Sequence, residues 1–473
     1  MQNNDYTSYE PLAFTVTIDN LEFDEKTNFV VKSDFAALIH EWWHYIQDIS
    51  TVTGQNGVYM WLRDMARISK NTCSKVNEEI HVPLPKDEYG EPMSKYRKLY
   101  MLFCGNKEEY SIENAEISAN PDIKAFSLDI DGEVRTLPDC RLMINGKEYL
   151  FRLIALQELN CYYAQKIAES FVDEQPKVSA DNLPEFPYKV GDLLFDYYDI
   201  ECDDRVKFLI SYLCLDSIQA PAVFLKAVES FKGQKLSFEA GEQKIVQQVE
   251  SVANTCACPN DDIYKEWMKD YNNWMFDKGR QYLAKSIEWF VAKIRQCDAF
   301  RFYEGKSFFI KVFCGNIKSL NKLYLCFPIP IFKKDGALLG SSMYGNDKTI
   351  DFGNEHEQAL ILRYHKRLFD LLSVKDAKDM KDKAECDMFT HCPYRSKVNK
   401  DYDCKSAVWE VVQGETMAQC PYAIALHTIY YKLDELIPLR GLFLVRTSAM
   451  LKSGFGIAFG LASVVQDCGR LRE

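Results

Sequence analysis

Two histidines and one glutamate lie close together in the segment His40-Glu41-Trp42-Trp43-His44. If the segment is helical, residues i and i+4 lie one above the other, so both imidazoles project from one face and can bind one metal ion. Glu41 is turned about 100° around the helix axis, which places it to take a proton from a metal-bound water. The spacing therefore predicts a zinc site with His40 and His44 as ligands and Glu41 as general base.

A purely structural interpretation of these residues stays open. In that case the helix is buried, the histidines bond to backbone groups and Glu41 lies on the surface. Trp42 belongs to the apolar stripe of the helix, and we expect Trp43 to pack against the strands before it rather than to contact a substrate.

The helix that must carry the motif has a clear beginning and end in the sequence. Ser33 is a typical N-cap with Asp34 in the first turn, and apolar residues keep helical spacing until Gly54. Short strands are predicted before it, over residues 14–18 and 28–31. The motif is therefore expected on a capped, amphipathic helix that follows a strand.

This arrangement resembles the zincin metallopeptidases, through the HExxH pattern at residues 40–44 and the strand and helix over roughly residues 28–54. The metzincin subgroup has a glycine and a further histidine where this chain has Gln47 and Ser50. The resemblance therefore implies a gluzincin-like site, in which Zn²⁺ is the cofactor and a glutamate from a later helix is the remaining protein ligand.

Glu158 is the preferred candidate for that ligand. It lies in a helix predicted over residues 151–172, and its neighbours at i±3 and i±4 are apolar or aromatic, so its carboxylate emerges from an apolar face. A buried carboxylate is costly unless a cation compensates it, and a metal ion can do so. A bond to a tyrosine or arginine is the alternative, and Glu113 and Glu116 are reserve ligands.

Residues around the motif suggest a second layer. Gln47 or Asp48 could orient an imidazole through its second nitrogen, as metal-bound histidines usually require, although Asp48 equally suits a plain helix surface. Tyr162 or Tyr163 could donate a hydrogen bond to the oxyanion that forms when water adds to a carbonyl, with core packing as the favoured alternative.

The C-terminal cysteines suggest a possible second metal site, formed by Cys386, Cys392, Cys404 and Cys420. Four thiolates suit structural zinc or an iron–sulfur cluster. Their spacing lacks the paired Cys-x-x-Cys pattern of such sites, so reduced thiols in a core are the favoured interpretation.

Composition limits the possible classes. The chain has 473 residues, 47% of them hydrophobic, and a net charge of −12, which excludes wholesale disorder and argues against broad binding of nucleic acid. We expect no membrane span, because the apolar stretches are too short. The N-terminus does not resemble a secretory signal, so we expect a cytoplasmic protein whose sixteen cysteines are mostly reduced.

The predicted fold is α+β and predominantly α-helical. Residues 1–175 are expected to form a zincin-like catalytic core, residues 176–374 a mainly helical region that completes or covers the cleft, and residues 384–473 a C-terminal Cys-containing unit. Further elements are predicted as strands at 125–130, 141–144, 147–149, 307–313 and 322–327, and as a helix at 355–372. Asn145-Gly146 predicts a hairpin turn between the strands at 141–144 and 147–149.

The predicted function is zinc-dependent hydrolysis of a peptide bond in a peptide or protein substrate. A catalytically degenerate zincin-fold interaction or regulatory protein is the alternative, and an iron–sulfur protein is a third class.

Overall fold

The computed structural model describes residues 7–19, 21, 32–73, 93–130, 133–256, 281–334, 337–340, 354–372 and 386. Within these ranges the chain is mainly helical with two small sheets, which confirms the predicted α+β, mostly α, class. The elements are β1 (Ser8–Glu10), β2 (Thr15–Thr17), α1 (Lys32–Ser50), α2 (Val52–Cys73), α3 (Lys95–Cys104), β3 (Ile117–Ile130), β4 (Glu133–Ile144), β5 (Lys147–Leu150), α4 (Leu153–Glu169), α5 (Val190–Tyr197), α6 (Asp204–Cys214), α7 (Ala220–Ser230), α8 (Phe238–Cys256), α9 (Gln281–Glu304), α10 (Phe308–Gly315), α11 (Ile317–Cys326), β6 (Ile331–Lys334), β7 (Ala337–Gly340) and α12 (Asn354–Leu372).

Helix α1 carries the HExxH motif and is buried along most of its length. It ends at Ser50, earlier than the predicted end at Gly54, because α2 begins almost at once at Val52. Gly54 lies in the first turn of α2, where a Cβ atom would come within 2.2 Å of the Gln47 carbonyl oxygen. The glycine therefore permits the close crossing of two helices instead of ending the first.

Helix α4 packs along α1, and the two form the centre of the fold. Trp42 is fully buried, as predicted, and its Nε1 donates to the carbonyl oxygen of Phe327 at 2.8 Å. Trp43 is also fully buried, but it packs on Phe208 of α6, and its Nε1 donates to Asn160 of α4 at 2.7 Å. The prediction that Trp43 packs against the preceding strands is therefore wrong.

The first sheet has the order β1-β2-β6-β7 and includes the strand predicted over residues 14–18. Strand β1 pairs antiparallel with β2, and β2 pairs parallel with β6. Because β1 also contacts α1, this edge of the sheet lies beside the motif helix.

The second sheet is the antiparallel meander β3-β4-β5, which contains the three strands predicted between residues 125 and 149. Asn145 and Gly146 have φ values of 50° and 76° in the turn between β4 and β5. Positive φ at both positions is what a two-residue hairpin of the Asn-Gly type requires, so the predicted hairpin is confirmed.

Two predicted strands are wrong. Residues 307–313 and 322–327 lie mainly in the helices α10 and α11. Short apolar runs fit a buried helix as well as a buried strand, and the side chain of Asn316 caps α11 by accepting from the amides of Lys318 and Ser319. The helix predicted over residues 355–372 is confirmed as α12.

The buried apolar side chains on both sides of residue 175 belong to one core, and the domain boundaries stay a prediction. The predicted strand over residues 28–31 lies outside the described residues, as does the C-terminal unit apart from Cys386. Among the described helices, none combines the length and apolar character needed to cross a bilayer.

Candidate metal centre

Helices α1 and α4 bring His40, His44 and Glu158 together. Oε2 of Glu158 lies 3.3 Å from Nε2 of His40 and 3.6 Å from Nε2 of His44, and all three side chains are largely buried. Ligand atoms of a tetrahedral zinc ion lie about 3.3 Å apart, given zinc–ligand distances of about 2.0–2.1 Å. The separations from Glu158 to the two imidazoles are therefore close to those of a zinc site.

Two glutamines hold the other nitrogen of each imidazole. Nδ1 of His40 lies 3.1 Å from Oε1 of Gln165, and Nδ1 of His44 lies 3.2 Å from Oε1 of Gln47. Each glutamine uses its own amide hydrogens elsewhere, at Val178 O and Asn160 Oδ1, both at 2.9 Å. The glutamine oxygens therefore accept from Nδ1, which directs Nε2 of both imidazoles toward Glu158.

The charge on Glu158 is strongly stabilised. Burial alone would raise its pKa, but His44, His40 and Lys107 together lower the pKa well below the ordinary value. Burial alone would lower the pKa of His44, but Cys161 and Glu158 raise it well above the ordinary value. A proton on His44 thus balances the carboxylate, and a metal ion at this position would replace that proton.

Lys107 separates the roles of the two oxygens of Glu158. Its Nζ lies 3.3 Å from Oε1 of Glu158 and 3.4 Å from Oε1 of Glu109, while Oε2 of Glu158 faces the imidazoles. Its side chain is 43% exposed, so this side of the cluster borders solvent. Lys107 lies in the segment after α3, where no periodic pattern in the sequence points to it.

The carboxylate of Glu41 lies on the same side of the cluster. Its Oε1 accepts a hydrogen bond from Oγ1 of Thr7 at 3.0 Å, which ties it to the N-terminal segment. Burial lowers the pKa of Lys107, but Glu158 and then Glu41 outweigh it and raise that pKa. Burial also raises the pKa of Tyr188, and Glu158, Glu109 and Glu41 raise it further.

Tyr188 forms an aromatic wall that the sequence analysis did not find. Its ring centroid lies 5.9 Å from that of His40, and the Lys107 Nζ lies 5.5 Å from the ring. The hydroxyl donates to Oε1 of Glu109 at 2.8 Å. Tyr188 lies just before α5, so only the fold brings it to the motif.

Tyr9 of β1 connects Asp48 to His44. The hydroxyl of Tyr9 donates to Oδ2 of Asp48 at 2.7 Å, and the ring of Tyr9 lies parallel to that of His44 with centroids 6.1 Å apart. Burial raises the pKa of Asp48 to about 7, against the lowering effects of Tyr9 and His44. It is Gln47, the other predicted orienting residue, that contacts the imidazole of His44 directly.

Cys161 also lies beside the two histidines, although its position three residues after Glu158 predicted only an apolar neighbour of that carboxylate. Its Sγ and one ring nitrogen from each of His40 and His44 all lie within 4.8 Å of one another. Burial raises the pKa of this thiol to about 11, with His44 acting in the opposite direction. The signal in the sequence was its position three residues after Glu158 on the same helix face.

The other predicted site residues lie away from the His40, His44 and Glu158 cluster or outside the described residues. The hydroxyls of Tyr162 and Tyr163 both donate to Asp192, at 2.9 and 3.1 Å, instead of reaching the imidazoles. The reserve ligands Glu113 and Glu116 are exposed in the segment before β3. Cys386 is partly buried against the core, and the other predicted ligands of a second metal site, Cys392, Cys404 and Cys420, lie outside the described residues.

A scan against protein-family models, a search of curated proteins and a search of solved structures each find no match to this chain. The feature of the chain that points to a function is therefore the cluster of His40, Glu41, His44 and Glu158.

The contact between Gln165 and His40 leads to a first prediction. Gln165→Leu removes the acceptor at Nδ1, so we expect zinc affinity to fall about 10–100-fold, as is typical for loss of such a partner. Gln165→Glu keeps an oxygen at this position and should lose much less affinity. Competition with a chelator of known affinity measures both variants, and equal zinc affinity of Gln165→Leu and wild type would contradict this role.

Proposed function

We propose that this chain is a zinc-dependent peptidase with a zincin-like core in residues 1–175. In this proposal His40, His44 and Glu158 hold Zn²⁺, and Glu41 is the general base. The observation that carries the proposal is the convergence of two Nε2 atoms on one oxygen of Glu158, with both Nδ1 atoms held by glutamines.

The donor set fits the proposed metal. Two neutral imidazoles and one carboxylate are a ligand set used by catalytic zinc, and the buried charge of Glu158 favours a cation at this point. When bound in such a site, zinc lowers the pKa of water toward about 7 and polarises the scissile carbonyl.

Glu41 would move the proton in this reaction. Its carboxylate accepts the proton of the attacking water and then donates it to the leaving amine, which is the usual task of a general base in peptide hydrolysis. The hydrogen bond from Thr7 occupies only Oε1, so Oε2 can take this proton without breaking that contact. Thr7 therefore orients the base.

Lys107 and Tyr188 mark the side from which a substrate would approach. Lys107 is 43% exposed while its Nζ contacts Glu158, and the buried ring of Tyr188 lies near both Lys107 and His40. A peptide substrate placed here would meet a cation and an aromatic face beside the scissile bond.

A degenerate zincin-fold binding protein is the second candidate. The observation that favours it is the position of the N-terminal strand, which places Thr7 on Glu41 and Tyr9 over His44. A strand fixed there would leave a metal site that binds without turnover.

The cellular location is also a proposal. The cysteines whose side chains the structure describes, including Cys161 and Cys214, are free thiols, which supports a reducing compartment such as the cytoplasm.

Metal analysis combined with a peptide-library cleavage assay tests the proposed function. We expect one zinc per chain, cleavage that stops on treatment with a chelator, and recovery when zinc is returned. Zinc without cleavage would support the binding protein, and iron with sulfide would support the third class. A purified chain that binds no transition metal would show the proposal to be wrong.

A further inference from the structure

Three side chains of α4 face the histidines of α1. Glu158, Cys161 and Gln165 are spaced i, i+3 and i+7, which places them on one side of the helix. Glu158 contacts Nε2 of both imidazoles, and Gln165 contacts Nδ1 of His40. Cys161 lies between these two in the sequence, fully buried, with Sγ within 4.8 Å of a ring nitrogen of each histidine.

Buried sulfur beside two imidazoles is a soft donor in a position to bind zinc. Zinc accepts thiolate, imidazole and carboxylate ligands, and sites in which the protein supplies all four are closed to water. The proposed site leaves a fourth position, and the described structure places the Cys161 sulfur beside a ring nitrogen of both His40 and His44. A thiol that becomes a ligand releases its proton to the solvent as the metal binds.

We propose that Cys161 is the fourth protein ligand in the resting state, so that zinc is held by His40, His44, Glu158 and Cys161. This inference rests on the proposed zinc site and adds its regulation. Hydrolysis would need a position for water, so the Cys161 thiolate would have to give up its place as a ligand and take back a proton from the solvent.

Replacing zinc with Co²⁺ allows a thiolate ligand to be detected by absorption spectroscopy, without any measurement of activity. Thiolate bound to Co²⁺ gives an intense charge-transfer band in the near ultraviolet, which nitrogen and oxygen ligands do not give. We expect the band in the Co²⁺-loaded wild type and its loss in Cys161→Ala at an unchanged stoichiometry of one metal per chain. Cys214→Ala is the matched control, because Cys214 is equally buried but lies on α6, outside the cluster, and its loss should leave the band intact.

X-ray absorption at the zinc edge is measured on the wild-type protein. It therefore shows whether sulfur is a zinc ligand even if Cys161→Ala does not fold. One sulfur at about 2.3 Å would support the inference, and a shell of only nitrogen and oxygen at about 2.0–2.1 Å would overturn it while leaving the proposed function intact. A chain that binds neither zinc nor cobalt would overturn both proposals. Cys161→Ala should also hydrolyse a substrate peptide faster than wild type, because the fourth coordination position of the zinc would be open to water.

Discussion

Glu41→Gln is expected to abolish peptide hydrolysis while zinc stays bound. The amide has nearly the same shape as the carboxylate and can still accept the hydrogen bond from Thr7, so the fold and the ligands should not change. It cannot accept the proton of the attacking water. The rate should fall by at least about 10²–10⁴-fold, the usual contribution of a general base.

The measurement is kcat/KM for a peptide identified by the library assay, with zinc content determined on the same samples. Glu113→Gln is a matched control, because it makes the same chemical change at an exposed carboxylate in the segment before β3. Its kcat/KM should equal that of wild type. Hydrolysis by Glu41→Gln at the wild-type rate would show that another group takes the proton.

The parts of the site that the sequence predicted are those that depend on local periodicity. The apolar spacing of α1 placed His40 and His44 on one face, although the helix begins at Lys32 and Ser33 is therefore not its N-cap as predicted. The apolar surroundings of Glu158 singled it out on α4. Helical spacing determines which side chains share a face, so each half of the cluster could be found separately. That the two faces meet became visible only in the packing of α1 on α4.

The remaining parts of the site had no such signal. Lys107 and Tyr188 lie in irregular segments, where neighbours in the sequence say nothing about which side chains meet in space. Cys161 was grouped with apolar residues, because a cysteine behaves as a small hydrophobic side chain unless a metal or base lies beside it. Only its distance to the histidines of another helix identifies it as a candidate metal ligand.

The same distinction explains the errors in the fold. The hairpin at Asn145 and Gly146 was predicted correctly because those residues adopt the positive φ values that the turn requires. The apolar runs of α10 and α11 contain no comparable constraint, and their helical state depends on packing, such as that of Phe313 on Trp43. Tertiary contacts therefore decided the elements for which local patterns allowed two answers.

Glu158→Gln is expected to weaken zinc binding strongly. The loss should exceed the roughly 10–100-fold that is typical when a residue hydrogen-bonded to a metal ligand, such as Gln165, is removed. A neutral amide oxygen is a poorer donor than a carboxylate. The change also leaves Lys107, whose Nζ lies 3.3 Å from Glu158, without this partner and beside the site, where its charge repels a metal ion. Zinc affinity should be measured by competition with a chelator, at one fixed pH for the wild type and the variant.

Two further variants separate the loss of the ligand from the charge of Lys107. Glu116→Gln removes an exposed carboxylate that was the reserve ligand, so it should bind zinc as wild type does. Adding Lys107→Met to Glu158→Gln should restore the part of the affinity that repulsion removed, but not the part that the missing oxygen supplied. If Glu158→Gln alone kept wild-type affinity, the carboxylate would not be a ligand. The third protein ligand would then have to be Cys161, since its sulfur is the other donor that the described structure places beside both imidazoles.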